Sequence, residues 1–203
     1  MMVRTFAMTA LAFVVAGSAA RAADPRYPNW PCAQAKVPDI SLAAVWAGPP
    51  LDDAENKWKD DSKVSALVSK LAARKTPLDE AEKSVKEFLA ASADKTTNAK
   101  LLFAGLFDTL NAQRAQVMSG LERVSRKQRD AADRIREETI ELQALQDATP
   151  RDDAKVDTMS NQLIWDTRIF EDRRKVVRFV CEVPTTIDQR LFALGRVIQQ
   201  EME

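Results

Sequence analysis

Residues 159–182 read MSNQLIWDTRIFEDRRKVVRFVCE. At about 100° per residue, Met159, Leu163, Phe170 and Val177 fall on one apolar stripe. Trp165, Ile169, Val176, Phe179 and Val180 fall on a second stripe, nearly opposite. A surface helix shows one apolar stripe, so two stripes predict a helix sandwiched between partners. The run stops at Cys181 and Pro184, since proline cannot continue a helix interior. The expected fold is all-α, with this helix as the central staple of a bundle.

The preceding sequence sets what that helix returns from. A long helix is predicted from about Ala99 to Asp147, near 70 Å at 1.5 Å per residue. Its first turns are bulky: Leu101, Leu102, Phe103, Leu106, Phe107 and Leu110. Its apolar positions then thin to a seam of Val117, Leu121, Val124, Ala131, Ile135, Leu142 and Leu145. The steps of three, four and seven are the coiled-coil period, and Arg114, Gln128 and Glu138 interrupt it. Thr149-Pro150-Arg151-Asp152 has the form of a cap followed by a helix-opening proline. Such a tight connection makes the two long helices antiparallel. The hairpin is expected over 121–159, as a two-helix, coiled-coil-like stalk of roughly 40 Å on a compact helical head.

The head is assigned to 40–120 and 160–203. Within it, Ser41–Trp46 reads as a helical turn or two, and Leu51–Lys75 as helix broken near Asp60-Asp61-Ser62. Thr76-Pro77 should cap a helix running to about Ala93, and Asp94–Asn98 is a polar break. Pro184-Thr185-Thr186 caps a last helix whose buried side is Ile187, Leu191, Leu194 and Ile198. Ahead of the head, Pro25, Pro28 and Pro31 keep residues 23–39 as an extended arm. Tyr27 and Trp30 are its apolar anchors, and Trp30 is expected to cover part of the second stripe. Residues 23–203 thus form one all-helical domain, with the projecting hairpin as an outgrowth.

Composition excludes several functions. Lys+Arg and Asp+Glu number 30 each. Removal of 1–22 takes away Arg4 and Arg21 and no acid, leaving 28 minus 30, or −2. Such a balance gives no long-range pull towards nucleic acid or anionic lipid. Five glycines argue against phosphate-cradling loops. Histidine is absent, which removes the commonest general base and transition-metal ligand.

Residues 1–22 have the order of a signal peptide: Arg4, an apolar Phe6–Ala16, then Ala20-Arg21-Ala22 as a small-x-small cleavage pattern. Cleavage before Ala23 and residence in the periplasm are expected, the alternative being an uncleaved N-terminal helix. Cys32 lacks a lipobox, and no later stretch is long and apolar enough for a transmembrane anchor. In an oxidising compartment Cys32 and Cys181, the sole pair, read as a structural disulfide. The alternative is a redox-active pair, but such pairs usually sit close in sequence as C-x-x-C.

Asn29-Trp30-Pro31-Cys32, Lys36-Val37-Pro38 and Val45-Trp46-Ala47-Gly48-Pro49 resemble a family of secreted proteobacterial helical proteins with no assigned activity. The resemblance extends to Thr167-Arg168-Ile169-Phe170-Glu171-Asp172-Arg173-Arg174 and Cys181-Glu182, and so spans most of the mature chain. It implies export and the cysteine pair and carries no activity.

No catalytic or cofactor-binding constellation is present in the sequence. There is no G-x-S-x-G, no histidine base and no C-x-x-C-H for covalent haem. The acidic groups Asp52, Asp53 and Glu55, then Asp60 and Asp61, then Asp152, Asp153 and Asp157, lack the spacing and glycine of a Ca²⁺ loop. Helix N-terminal acids are favoured by the dipole alone. Trp58 and Trp165 are expected in the core. What remains is surface. The hairpin tip, with Asp147, Thr149, Arg151, Asp152 and Asp153, is the candidate partner-binding site.

The expected function is therefore non-enzymatic: an adaptor or accessory subunit in contact with another periplasmic or envelope protein, with self-association as the second option. A chaperone-like clamp and a carboxylate-based metal-binding protein are the alternatives. The even charge and the lack of an L-T-x-x-Q repeat count against the first of these.

Overall fold

A computed structural model describes residues 24–202; the expected signal peptide lies outside them. The described residues are all-α, without strands. The helices are α1 (Leu42–Val45), α2 (Ser62–Ala72), α3 (Leu78–Ala90), α4 (Lys95–Asp147), α5 (Asp153–Val180) and α6 (Val183–Met202). A 3₁₀ turn at Lys57–Lys59 precedes α2, so the break foreseen near Asp60 is present.

Local chemistry fixes the helix starts. Asp61 accepts from the backbone amides of Lys63 and Val64, at 2.9 and 3.1 Å, and opens α2. Thr76 does not cap α3; its hydroxyl donates to the Lys70 carbonyl at 2.9 Å, closing the end of α2 instead. Asp94 accepts from the Thr97 amide at 3.0 Å, so α4 begins at Lys95 and absorbs most of the expected polar break. Asp152 caps α5 through the Lys155 amide at 3.1 Å. The Thr149-Pro150 pair lies before that cap, in the turn. The last helix begins at Val183, so Pro184 sits in its first turn, where a missing donor costs nothing.

The core is built by the first third of α4 with α2, α3 and α6. Leu102, Phe103, Leu106 and Leu110 of α4 meet Val64, Val68 and Leu71 of α2, Val85 and Leu89 of α3, and Ile187, Leu191, Leu194 and Ile198 of α6. Trp46 stacks on Phe103, with ring centroids 4.3 Å apart, and sends its indole N–H to the Pro49 carbonyl at 2.8 Å. Trp58 is buried and donates to Asp108 at 3.0 Å. Gly195 lets α6 close on this cluster. A Cβ there would stand 2.8 Å from a Phe103 ring carbon and 2.9 Å from the Val45 carbonyl oxygen.

The 53 residues of α4 span about 80 Å. Beyond Leu110 its buried side is Arg114, Met118, Leu121 and Ala131. The half-buried positions Ser125, Gln128, Ile135, Glu138, Leu142 and Leu145 complete a seam of threes and fours. Gln128 and Glu138 are therefore seam residues rather than interruptions of it. Val124, expected in the seam, is exposed, and Ser125 takes its place.

The sandwiched helix is overturned. Along α5 the helix that packs is α4, and no other helix lies along it. Val156 is its one buried residue, and Met159, Leu163, Phe170 and Val177 are half-buried against α4. None of residues 160–180 enters the core cluster, so that part of the expected head segment 160–203 belongs to the hairpin. The hairpin then runs from about Arg114 to Cys181. The physical reason is a missing partner: apart from Val180, half-buried at the end of α5, the second stripe has nothing packed over it.

Candidate functional site

The lower hairpin, the arm and the disulfide together form the part of the molecule where polar and apolar groups are left uncommitted. Cys32 and Cys181 are bonded, with Cα atoms 5.5 Å apart, and no described cysteine is free. The arm therefore lies along the hairpin's root. Gln34 donates to the Cys181 carbonyl at 2.6 Å, and Trp30 donates its indole N–H to the Gln34 carbonyl at 2.7 Å. Lys36 pairs with Glu122 of α4 at 2.6 Å and lies 4.6 Å from the centre of the Tyr27 ring. Arg129 donates to the Pro28 carbonyl at 3.0 Å and to Asn29.

Arg114 holds the arm to the head. It is 3% exposed. Its two terminal nitrogens donate to the carbonyls of Pro38, at 3.0 Å, and Val37, at 2.7 Å. Its Nε lies 2.7 Å from Asp188 of α6, too poorly aligned for a hydrogen bond. Burial raises the Asp188 carboxyl above its ordinary value, against the pull of Arg114. One guanidinium thus joins α4, the arm and α6. A charged residue in register with an apolar seam was the sequence signal for it.

Trp30 does not cover the second stripe of α5. The arm lies on the other side, across a cavity from Phe170 and Val177 of the first stripe. The second stripe stays open: Trp165 is 60% exposed, Ile169 43%, Val176 59% and Phe179 77%. Trp165 is thus not a core residue as expected. The four fall at steps of four, seven and three, a coiled-coil-like row without a mate whose middle position is Asp172. Arg168 stands 5.8 Å from the centre of the Trp165 ring. Glu171 and Asp172 pair with Arg174 and Lys175, whereas Arg168 and Arg173 have no carboxylate partner among the described residues. With aromatic side chains of about 150–250 Å², the open stripe reaches roughly the few hundred Å² at which patches mark contact sites.

Under the arm, between α4 and α5, lies a cavity of about 480 Å³. Pro31, the disulfide, Ala33, Phe170 and Val177 are its apolar walls, and Gln128, Arg174 and Arg178 reach it as polar groups.

The hairpin tip is a polar turn. Arg151 pairs with Asp153 at 2.8 Å, and Asp152 pairs with the Lys155 ammonium at 3.2 Å besides capping α5. Asp147 ends α4, and Thr149 and Pro150 lie exposed between the helices. The tip residues are near one another because the turn is short, and their charges are largely spent on each other. The Asp152 carboxyl sits below its ordinary value of 3.8, held there first by the Lys155 amide.

Several of the acids weighed as metal ligands have other partners. Asp53 pairs with Lys100, and Asp61 and Asp152 cap helices. Among the described residues no three of His, Cys, Asp and Glu gather as a metal-holding group. No helix of the described residues is long and apolar enough to cross a membrane.

Compared with known proteins, the chain matches no family model, no curated protein and no solved structure.

Proposed function

We propose that this is a non-enzymatic periplasmic protein that acts through protein–protein contacts, as an adaptor or accessory subunit of an envelope complex, and that the outward stripe of α5 is its contact surface. What supports this is Trp165, Ile169, Val176 and Phe179 on a helix with a single helical neighbour. Burying such a side chain is worth about 1.5–3 kcal/mol, so a soluble chain gains from covering this row. An occupant of matching chemistry is an amphipathic helix carrying carboxylates, because Arg168 and Arg173 on the rim have none. The periplasm is supported by the signal-peptide order of residues 1–22 and by a cysteine bond of the kind that persists in oxidising compartments. A second copy of the chain is the other occupant to test. The metal-binding alternative is weakened by the capping and ion-pair roles of Asp53, Asp61 and Asp152.

Affinity capture with the chain from Ala23, from an extract of its own envelope compartment, tests this reading. The parent runs beside Trp165→Glu/Phe179→Glu and beside Arg151→Ala/Asp153→Ala. A protein kept by the parent and the tip variant, and lost by the stripe variant at unchanged melting temperature, is the expected result. A protein lost only by the tip variant moves the contact to Asp147–Asp153. No captured protein, with the parent monomeric by sedimentation, overturns the reading.

A further inference from the structure

We propose that the cavity beneath the arm is a binding site for a small organic carboxylate with an apolar body. It is a different surface from the stripe and does not depend on it. A volume near 480 Å³ falls within the roughly 300–1,000 Å³ of small-molecule sites. Its walls match an apolar body: Phe170 and Val177 from α5, and Pro31 and the disulfide from the arm.

The rim sets the ligand class. Gln128 is committed to α5, donating its amide to the Phe170 carbonyl at 3.1 Å, which leaves the charged groups at the mouth to choose the ligand. At the mouth, Arg174 and Arg178 lie one turn apart on the same helix. Arg174 shares Glu171 loosely, at 3.4 Å. Arg178 has no carboxylate partner among the described residues. Glu182 also lines the mouth, so the rim carries two positive charges against one negative. A guanidinium matches a carboxylate through paired parallel hydrogen bonds. A monocarboxylate therefore fits this rim better than a neutral or cationic ligand.

Two probes test the assignment on the oxidised chain from Ala23, followed by ¹⁵N–¹H NMR. N-acetylphenylalanine carries ring and carboxylate, and its carboxamide lacks the charge. Saturable shifts confined to residues 31–34, Gln128 and 174–182 are expected with the first. The carboxamide should bind at least tenfold more weakly, and Arg174→Gln/Arg178→Gln should erase that difference. The Trp165→Glu/Phe179→Glu variant should bind the probe as the parent does, so failure of one reading is distinguishable from failure of the other. Scattered or non-saturating shifts, or equal affinity for acid and carboxamide, overturn the site.

Discussion

Arg114 is a buried cation held by two backbone carbonyls and one carboxylate. Methionine would fill much of its volume and leave the Val37 and Pro38 carbonyls and Asp188 without it. With charge-assisted hydrogen bonds at about 1.5–3 kcal/mol and broken buried pairs somewhat above, Arg114→Met should cost about 3 kcal/mol in a urea melt. It should also expose residues 24–39 to amide exchange. Acid acts through the caps. Asp94 and Asp152 titrate below 3.8, chiefly through backbone amides. A carboxyl with a lowered folded value stabilises above its unfolded value, and that stability is lost as pH falls through the folded one. Asp152→Ala should therefore lower the melting temperature at neutral pH, and the difference from the parent should close below pH 3.8. Asp188, raised by burial, has the opposite sign: it costs stability while ionised and relieves it on protonation. At this scale the sequence showed that Arg114 and Gln128 stand in register with apolar neighbours. It could not show that the partners are main-chain carbonyls, because backbone acceptors leave no trace in a side-chain pattern.

Among the elements, α4 and α6 were legible and α5 was half legible. The buried row of α6 follows from spacing alone, since an amphipathic helix with a proline in its first turn has one apolar side to hide. The two stripes of α5 were equally plain, yet periodicity reports which residues share a face and is silent on whether a second helix arrives to cover it. A pair of substitutions separates the two faces. Leu121→Ala, in the α4–α5 seam at 2% exposure, should cost about 2–5 kcal/mol. Phe179→Ser should change stability by no more than about 0.5 kcal/mol, measured by thermal unfolding of the isolated chain. A large loss at Phe179 would mean that the row is covered in the free protein after all. The tip illustrates the converse: its charges caught the eye in the sequence, and the structure spends them on capping and local ion pairs.

For the whole molecule, the disulfide closes a loop across 149 positions. Chain-entropy bookkeeping for such a loop gives about 5 kcal/mol as an upper figure. Thiol labelling of unfolded, unreduced protein should find no free thiol. Cys32→Ser/Cys181→Ser should keep its helical circular dichroism, melt lower, and release the arm to protease. In the oxidised parent, limited proteolysis should cut first at 148–152, where the connecting turn is exposed and lies outside any helix.

Both legs of the hairpin are rooted in one core: α4 leaves it after Leu110, and the chain re-enters at Val183. The segment between is consequently an insert whose length the core does not register. Seven residues removed from each leg near the tip would preserve the seam's phase and shorten the reach by about 10 Å. The arm, cavity and outward row lie below that cut and would stay as they are. Reach is thus a quantity that evolution or an experimenter can set in heptad increments, separately from what the protein holds at its base.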